Sequence, residues 1–191
     1  AAYEAVSPYV KHIPLYHSAS FSENYRAGIY FKLENLQRTG SFKVRGALNA
    51  ILKNKEKCAN GVITASAGNH AQGVAFSAKL IGVKAVIVMP VHTPLVKINN
   101  TKTYGAEVVL YGETYDDAAT QAEILAEERG LYLIHPFNNI DVIAGQGTIA
   151  VEFLKEMQDA DNVIIPVGGG GLASGIAAYL KESGSKAKII G

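Results

Sequence analysis

Short apolar runs rich in Val and Ile alternate along this chain with longer stretches of helical period. That is the pattern of a parallel sheet wrapped by helices. Seven runs read as strands: 29–34, 62–65, 85–89, 107–111, 131–134, 163–167 and 188–190. Val44, Ala47, Leu48, Ile51 and Leu52 share one helical stripe, as do Ala118, Ala119, Ala122, Leu125 and Ala126, and these faces are expected to cover the sheet. Helical runs over 71–81, 97–104 and 115–129 each stop at a glycine, Gly82, Gly105 and Gly130, the residue that takes up a left-handed terminal turn most readily. No internal repeat, low-complexity tract or Pro-Gly-Ser linker marks a boundary between lobes.

With 191 residues, 48% of them hydrophobic, the chain can fill one sizeable core or two small lobes. Its 18 basic and 17 acidic residues leave a net charge of +1, so no overall field is available to hold nucleic acid or an anionic membrane. Partners are expected to be small molecules or other subunits. No run approaches the roughly 20 apolar residues of a membrane span, and the start lacks the basic-then-apolar order of a secretion signal. Cys58 stands alone, which precludes an intrachain disulfide and points to a reducing compartment, the cytoplasm, with the thiol buried and idle. The chain opens on Ala1 and stops at Ile189-Ile190-Gly191 just as a strand departs, so both ends read as trimmed. His12, His17, His92 and His135 lack metal-ligand spacing and read as caps or packing residues, with no metal expected.

Three motifs carry candidate chemistry. In Thr39-Gly40-Ser41-Phe42-Lys43, Ser41 is expected to cap a helix with Lys43 in its first turn. There the positive helix end and partial desolvation push an amine toward its neutral, nucleophilic form. Taken alone, such a lysine reads better as a solvated helix residue. Ser66-Ala67-Gly68-Asn69-His70-Ala71-Gln72-Gly73 follows the strand at 62–65 and opens a helix, a junction whose free N–H groups suit a carboxylate. Its Gly68-to-Gly73 spacing imitates a nucleotide phosphate loop, but Val74 stands where a lysine is required. Gly168-Gly169-Gly170-Gly171-Leu172 follows the strand at 163–167 and presents bare N–H groups, a nest suited to phosphate. A dinucleotide loop is the rival there, weakened because its acidic partner would fall at or past the chain end. All three motifs are expected at the carboxyl edge of a sheet, where open α/β folds bind ligands. Together they supply what an aldehyde-phosphate cofactor and an amino-acid substrate require.

These residues, together with Phe31 to Arg38 before the first motif, Ala65 and Val74 flanking the second, Val142-Ile143-Ala144-Gly145-Gln146-Gly147-Thr148 and Pro166-Val167, resemble the pyridoxal-phosphate enzymes of the tryptophan synthase β-like fold (fold-type II), and within them the threonine dehydratases of the short biodegradative kind. The resemblance implies an α/β architecture of two three-layer α/β/α lobes with mostly parallel sheets. Residues 1–60 and 140–191 would form a large, here incomplete, cofactor-binding lobe, and 61–139 a small mobile lobe. It implies that Lys43 carries the cofactor as a Schiff base, that Phe42 packs on the cofactor ring and Asn69 bonds its hydroxyl, and that Gly168, Gly169, Gly170, Gly171 and Leu172 hold the phosphate. Ser66, Ala67, Gly68, Asn69 and His70 would take the substrate carboxylate. The implied reaction is deamination of threonine or serine, with a homo-oligomer as the full-length protein. Racemases similar to these dehydratases place a serine where Ala67 stands, and a methyl group cannot exchange a proton, so elimination is expected over racemisation. The other readings are a serine racemase, another enzyme of the same fold, or a fragment that holds no cofactor.

Overall fold

The computed structural model describes residues 1–191. A short helix α1 (Ala2–Val6) leads to an antiparallel pair, β1 (Leu15–His17) and β2 (Tyr30–Lys32), joined through α2 (Ala19–Tyr25). After a 3-10 turn at Glu34–Leu36 comes α3 (Lys43–Lys53), and then an uninterrupted alternation: β3 (Val62–Ala65), α4 (Asn69–Ile81), β4 (Ala85–Met89), α5 (Leu95–Lys102), β5 (Glu107–Leu110), α6 (Tyr115–Arg129) and β6 (Tyr132–Leu133). Their strands form one parallel sheet in the order β5-β4-β3-β6. The long α7 (Ile140–Glu156) precedes β7 (Asn162–Ile164), α8 (Gly171–Glu182) and β8 (Lys188–Ile190), and β7 and β8 pair in parallel. The chain is thus an α/β fold with mostly parallel sheets, as its pattern predicts.

Every residue of β3 and β4 is buried, which is why these strands read as continuous apolar runs: a parallel strand covered on both faces has no polar side. On one face, Val62, Ile87 and Met89 pack with Ala47, Ala50 and Ile51 of α3 and with Ala71, Val74 and Ala78 of α4. On the other, Ile63, Val86 and Val88 meet Ala118, Ala122 and Leu125 of α6. A third cluster of Ile149, Ala150, Ile165, Ile176 and Leu180 joins α7 and α8 to the β7–β8 pair, and Phe42 packs against it. The helix carrying Lys43 therefore sits between α4 and α7.

Four expectations shift. The antiparallel partner of β2 was not foreseen, because Leu15–His17 is only three residues long and follows Pro14, too short a run for a period to emerge. Helix α4 starts two residues earlier than its apolar stripe, at Asn69, and the strand expected over 163–167 closes at Ile164. Ser41 does not cap α3. Phe42 is the N-cap, its backbone already helical at φ −63 and ψ −15 and without a side-chain cap bond, and its carbonyl accepts from the Arg45 N–H at 3.0 Å. The Ser41 hydroxyl is buried with no partner, like that of Thr39 beside it.

Candidate active site

Lys43 is the first residue of α3. Its amine lies partly buried and donates to the carbonyl of Pro136 at 2.8 Å, with the Phe42 ring centroid 5.4 Å away. No carboxylate pairs with it among the ion pairs of the structure, and burial lowers its pKa from the ordinary lysine value. A desolvated amine without a counter-charge yields its proton more easily than a surface lysine, which is the property a nucleophile or base needs.

Two residues on, Arg45 anchors this turn. Its guanidinium is fully buried, bonded through Nε and Nη2 to Glu34 at 2.8 Å each and through Nη1 and Nη2 to Glu152 at 2.8 and 2.9 Å. Lys32 completes the network on Glu152 at 2.8 Å. Burial would lower the Arg45 pKa, but the two carboxylates outweigh it and raise it. Such a pair is costly to break, since either partner alone would be an uncompensated buried charge.

The β3-to-α4 turn packs beside Lys43. A Cβ on Gly73 would lie 3.0 Å from the Lys43 carbonyl carbon, so only glycine lets α4 approach this closely. In the turn itself Gly68 faces open space, Ser66, Ala67 and Gly68 are half-buried, and Asn69 is exposed. The Gly68 N–H donates to Ser66 Oγ at 3.2 Å. No side chain caps α4, leaving its first N–H groups to an outside acceptor. The His70 ring, by contrast, is buried, and burial first, with the Lys43 charge adding, lowers its pKa to about 3.

The glycine loop is likewise uncapped at the start of α8. Gly168 and Gly170 face open space and Gly170 is left-handed at φ +83, while Cβ atoms on Gly169 and Gly171 would meet Phe137 at 2.3 and 3.2 Å. Leu172 packs into the α7–α8 cluster. The segment 134–137 is thus the common wall: Pro136 receives Lys43, Phe137 backs the glycine loop, and Ile134 accepts from His70. Sequence reasoning passed over Pro136 and Phe137 and read His135 as a cap or packing residue. Its ring accepts from the Asn138 N–H at 2.8 Å and feels the Lys43 charge. The one available signal was its place at the carboxyl end of β6, the same sheet edge as the anion turn. A separate cavity of about 470 Å³ between α1, α7 and α8 contains none of these groups.

The chain is similar to known proteins over nearly its whole length. A family model described as pyridoxal-phosphate dependent enzyme matches residues 6–191. The chain is 53% identical to an L-threonine ammonia-lyase of Geobacter sulfurreducens over 183 residues, 95% of this chain and 46% of that protein. Among solved structures it resembles the processed form of threonine deaminase isoform 2 from Solanum lycopersicum, with a TM-score of 0.93 and 44% identity over 98% of this chain and 53% of that one. It also resembles maize serine racemase, with a TM-score of 0.94 and 38% identity over 98% of this chain and 57% of that one. The chain spans about half the length of the relatives it matches.

Proposed function

The chain belongs to the pyridoxal-phosphate dependent enzymes, and from that premise we propose that the protein it forms part of deaminates L-threonine, and L-serine, by α,β-elimination to 2-oxobutanoate or pyruvate and ammonia. The observation that carries this reading is the uncompensated Lys43 amine, joined through segment 134–137 to both an uncapped anion turn and a bare glycine loop. The 53% identity to an L-threonine ammonia-lyase supports the choice of substrate.

The residues fit the cofactor. Gly168 and Gly170 leave open space where a Cβ would stand, at an uncapped helix start that attracts a phosphate. Thr39 and Ser41 keep buried hydroxyls in want of a partner on the approach to Lys43. When bound, pyridoxal phosphate supplies an electrophilic carbonyl and a conjugated ring that stabilises negative charge at the substrate α-carbon. Lys43 would hold it, Gly168, Gly169, Gly170, Gly171 and Leu172 would bind its phosphate, and Phe42 and Asn69 would border its ring. Ser66, Ala67, Gly68 and the N–H groups of Asn69 and His70 would orient the substrate carboxylate. The Lys43 Nζ, neutral more often than a surface amine, takes the α-proton. Ala67 offers only a methyl group, so the α-carbon finds no second base there and elimination is favoured over racemisation.

The small lobe is proposed to be 61–139, closing on the substrate against 1–60 and 140–191. The four-stranded sheet takes all its strands from within that span. The buried, solitary Cys58 supports a reducing, cytoplasmic setting, and the full-length protein is proposed to be a homo-oligomer.

The test compares the full-length protein with its Lys43→Ala variant. The parent is expected to acquire visible absorbance from bound cofactor and to release a 2-oxo acid from L-threonine, and Lys43→Ala to do neither. Retention of both by the variant would overturn the assignment of Lys43. Accumulation of D-serine from L-serine would overturn elimination.

A further inference from the structure

The His70 side chain lies within the anion turn but does not face outward from it. Its Nε2 sits 3.1 Å from the Ile134 carbonyl oxygen. A carbonyl only accepts, so Nε2 carries the hydrogen and Nδ1 is a bare acceptor in the neutral ring. Nδ1 is buried without a partner. A neutral imidazole whose only N–H is committed to the backbone has nothing to donate to a carboxylate. Only its backbone N–H, in the first turn of α4, remains for that purpose.

The same Ile134 carbonyl accepts a second bond, from Thr64 Oγ1 at 2.7 Å. Thr64 lies on β3, immediately before the turn, and His70 on α4, immediately after it. The two ends of the anion turn are therefore pinned to one carbonyl oxygen. Two residues further along the backbone, Pro136 accepts the Lys43 amine. We propose that His70 is a positioning residue: by donating Nε2–H to Ile134, it fixes the 66–69 turn against the strand end that seats the Lys43 amine, and its imidazole does not touch the substrate. This rests on the reading of 66–69 as the carboxylate turn.

The test uses the full-length protein loaded with pyridoxal phosphate. His70→Phe keeps a ring but no donor, and His70→Gln keeps a donor of similar reach. L-alanine, which has no β-leaving group, is titrated and followed by cofactor absorbance. His70→Phe is expected to weaken L-alanine binding about tenfold, the worth of one such hydrogen bond, and to raise KM for L-threonine more than it lowers kcat. His70→Gln is expected to restore most of both. In the cofactor-free protein, amide hydrogen exchange over 66–69 should quicken in His70→Phe and stay near the parent rate in His70→Gln. Should His70→Phe not fold, Thr64→Val, which removes the other bond to the same carbonyl, is expected to weaken L-alanine binding in the same direction. Parent-like binding and exchange in His70→Phe, or equal damage from His70→Gln and His70→Phe, would overturn the proposal. If instead the parent binds neither cofactor nor L-alanine, the functional reading fails while the exchange comparison still decides the role of His70.

Discussion

At the residue scale, the glycine loop separates two reasons for being glycine. Gly170 needs its left-handed φ of +83, although a Cβ there would meet nothing. Gly170→Ala is therefore expected to cost about 1 kcal/mol of stability through backbone strain alone, read from the denaturant midpoint. Gly168 faces the same open space without a positive φ. Gly168→Ala should leave stability unchanged and weaken cofactor binding, because its methyl group would stand where the anion approaches; the Kd for pyridoxal phosphate checks this. Four consecutive glycines were legible in the sequence as a nest, but which of them answers to backbone and which to ligand depends on φ, which no residue pattern reports. Lys43 was legible as a first-turn lysine for a reason that proved half right. The helix does begin there, but Ser41 is no cap, and what marks the amine is burial beside a carbonyl 93 positions away.

At the element scale, close helix contacts around α7 set the frame. A Cβ on Gly145 would lie 2.5 Å from the Arg45 carbonyl oxygen, and one on Gly175 would lie 2.3 Å from the Ile143 oxygen and 2.7 Å from the Gly147 nitrogen. These are backbone atoms, which cannot swing aside. Gly175→Ala is expected to force α7 and α8 apart and cost about 1–3 kcal/mol, as overpacking does, measured by urea unfolding. The Gly145-Gln146-Gly147-Thr148 run was legible only as part of a family resemblance, because a glycine leaves no mark on an apolar stripe. What it does is let α3 and α8 approach α7, and the approach of α3 brings Arg45 within reach of Glu152. The alternating strands and helices from β3 to β6 were legible to within two residues at each end, most sharply at β3 and β4, where burial on both faces leaves an unmistakable apolar run. The β1–β2 pair was half missed because an edge of three residues has no period to read.

At the scale of the whole molecule, stability depends on pH through groups on α4, on α7 and in the segment after β6. At Glu152 burial would raise the pKa, but Arg45 and Lys32 outweigh it and hold the carboxyl below the usual glutamate range; at Asp141, Lys53 and Asn54 likewise overcome burial. Their contributions are fully present above the unfolded carboxylate values and are lost only as pH falls through the depressed folded ones, so they stay constant between pH 7 and 5. His70 behaves differently in that window. Its folded pKa of about 3 lies below the ordinary 6.5, so below pH 6.5 the unfolded chain takes up a proton that the folded ring refuses. Stability should then fall by about 1.4 kcal/mol per pH unit, or about 2 kcal/mol by pH 5. His135, lowered by burial and by the Lys43 charge, acts in the same direction. His70→Gln, which cannot titrate, should flatten the thermal-midpoint curve between pH 7 and 5 and leave the steeper loss below the carboxylate range in place. A variant curve that still falls like the parent's in that window would mean that His70 is not held neutral, and that its ring is free to carry the charge a substrate carboxylate would attract.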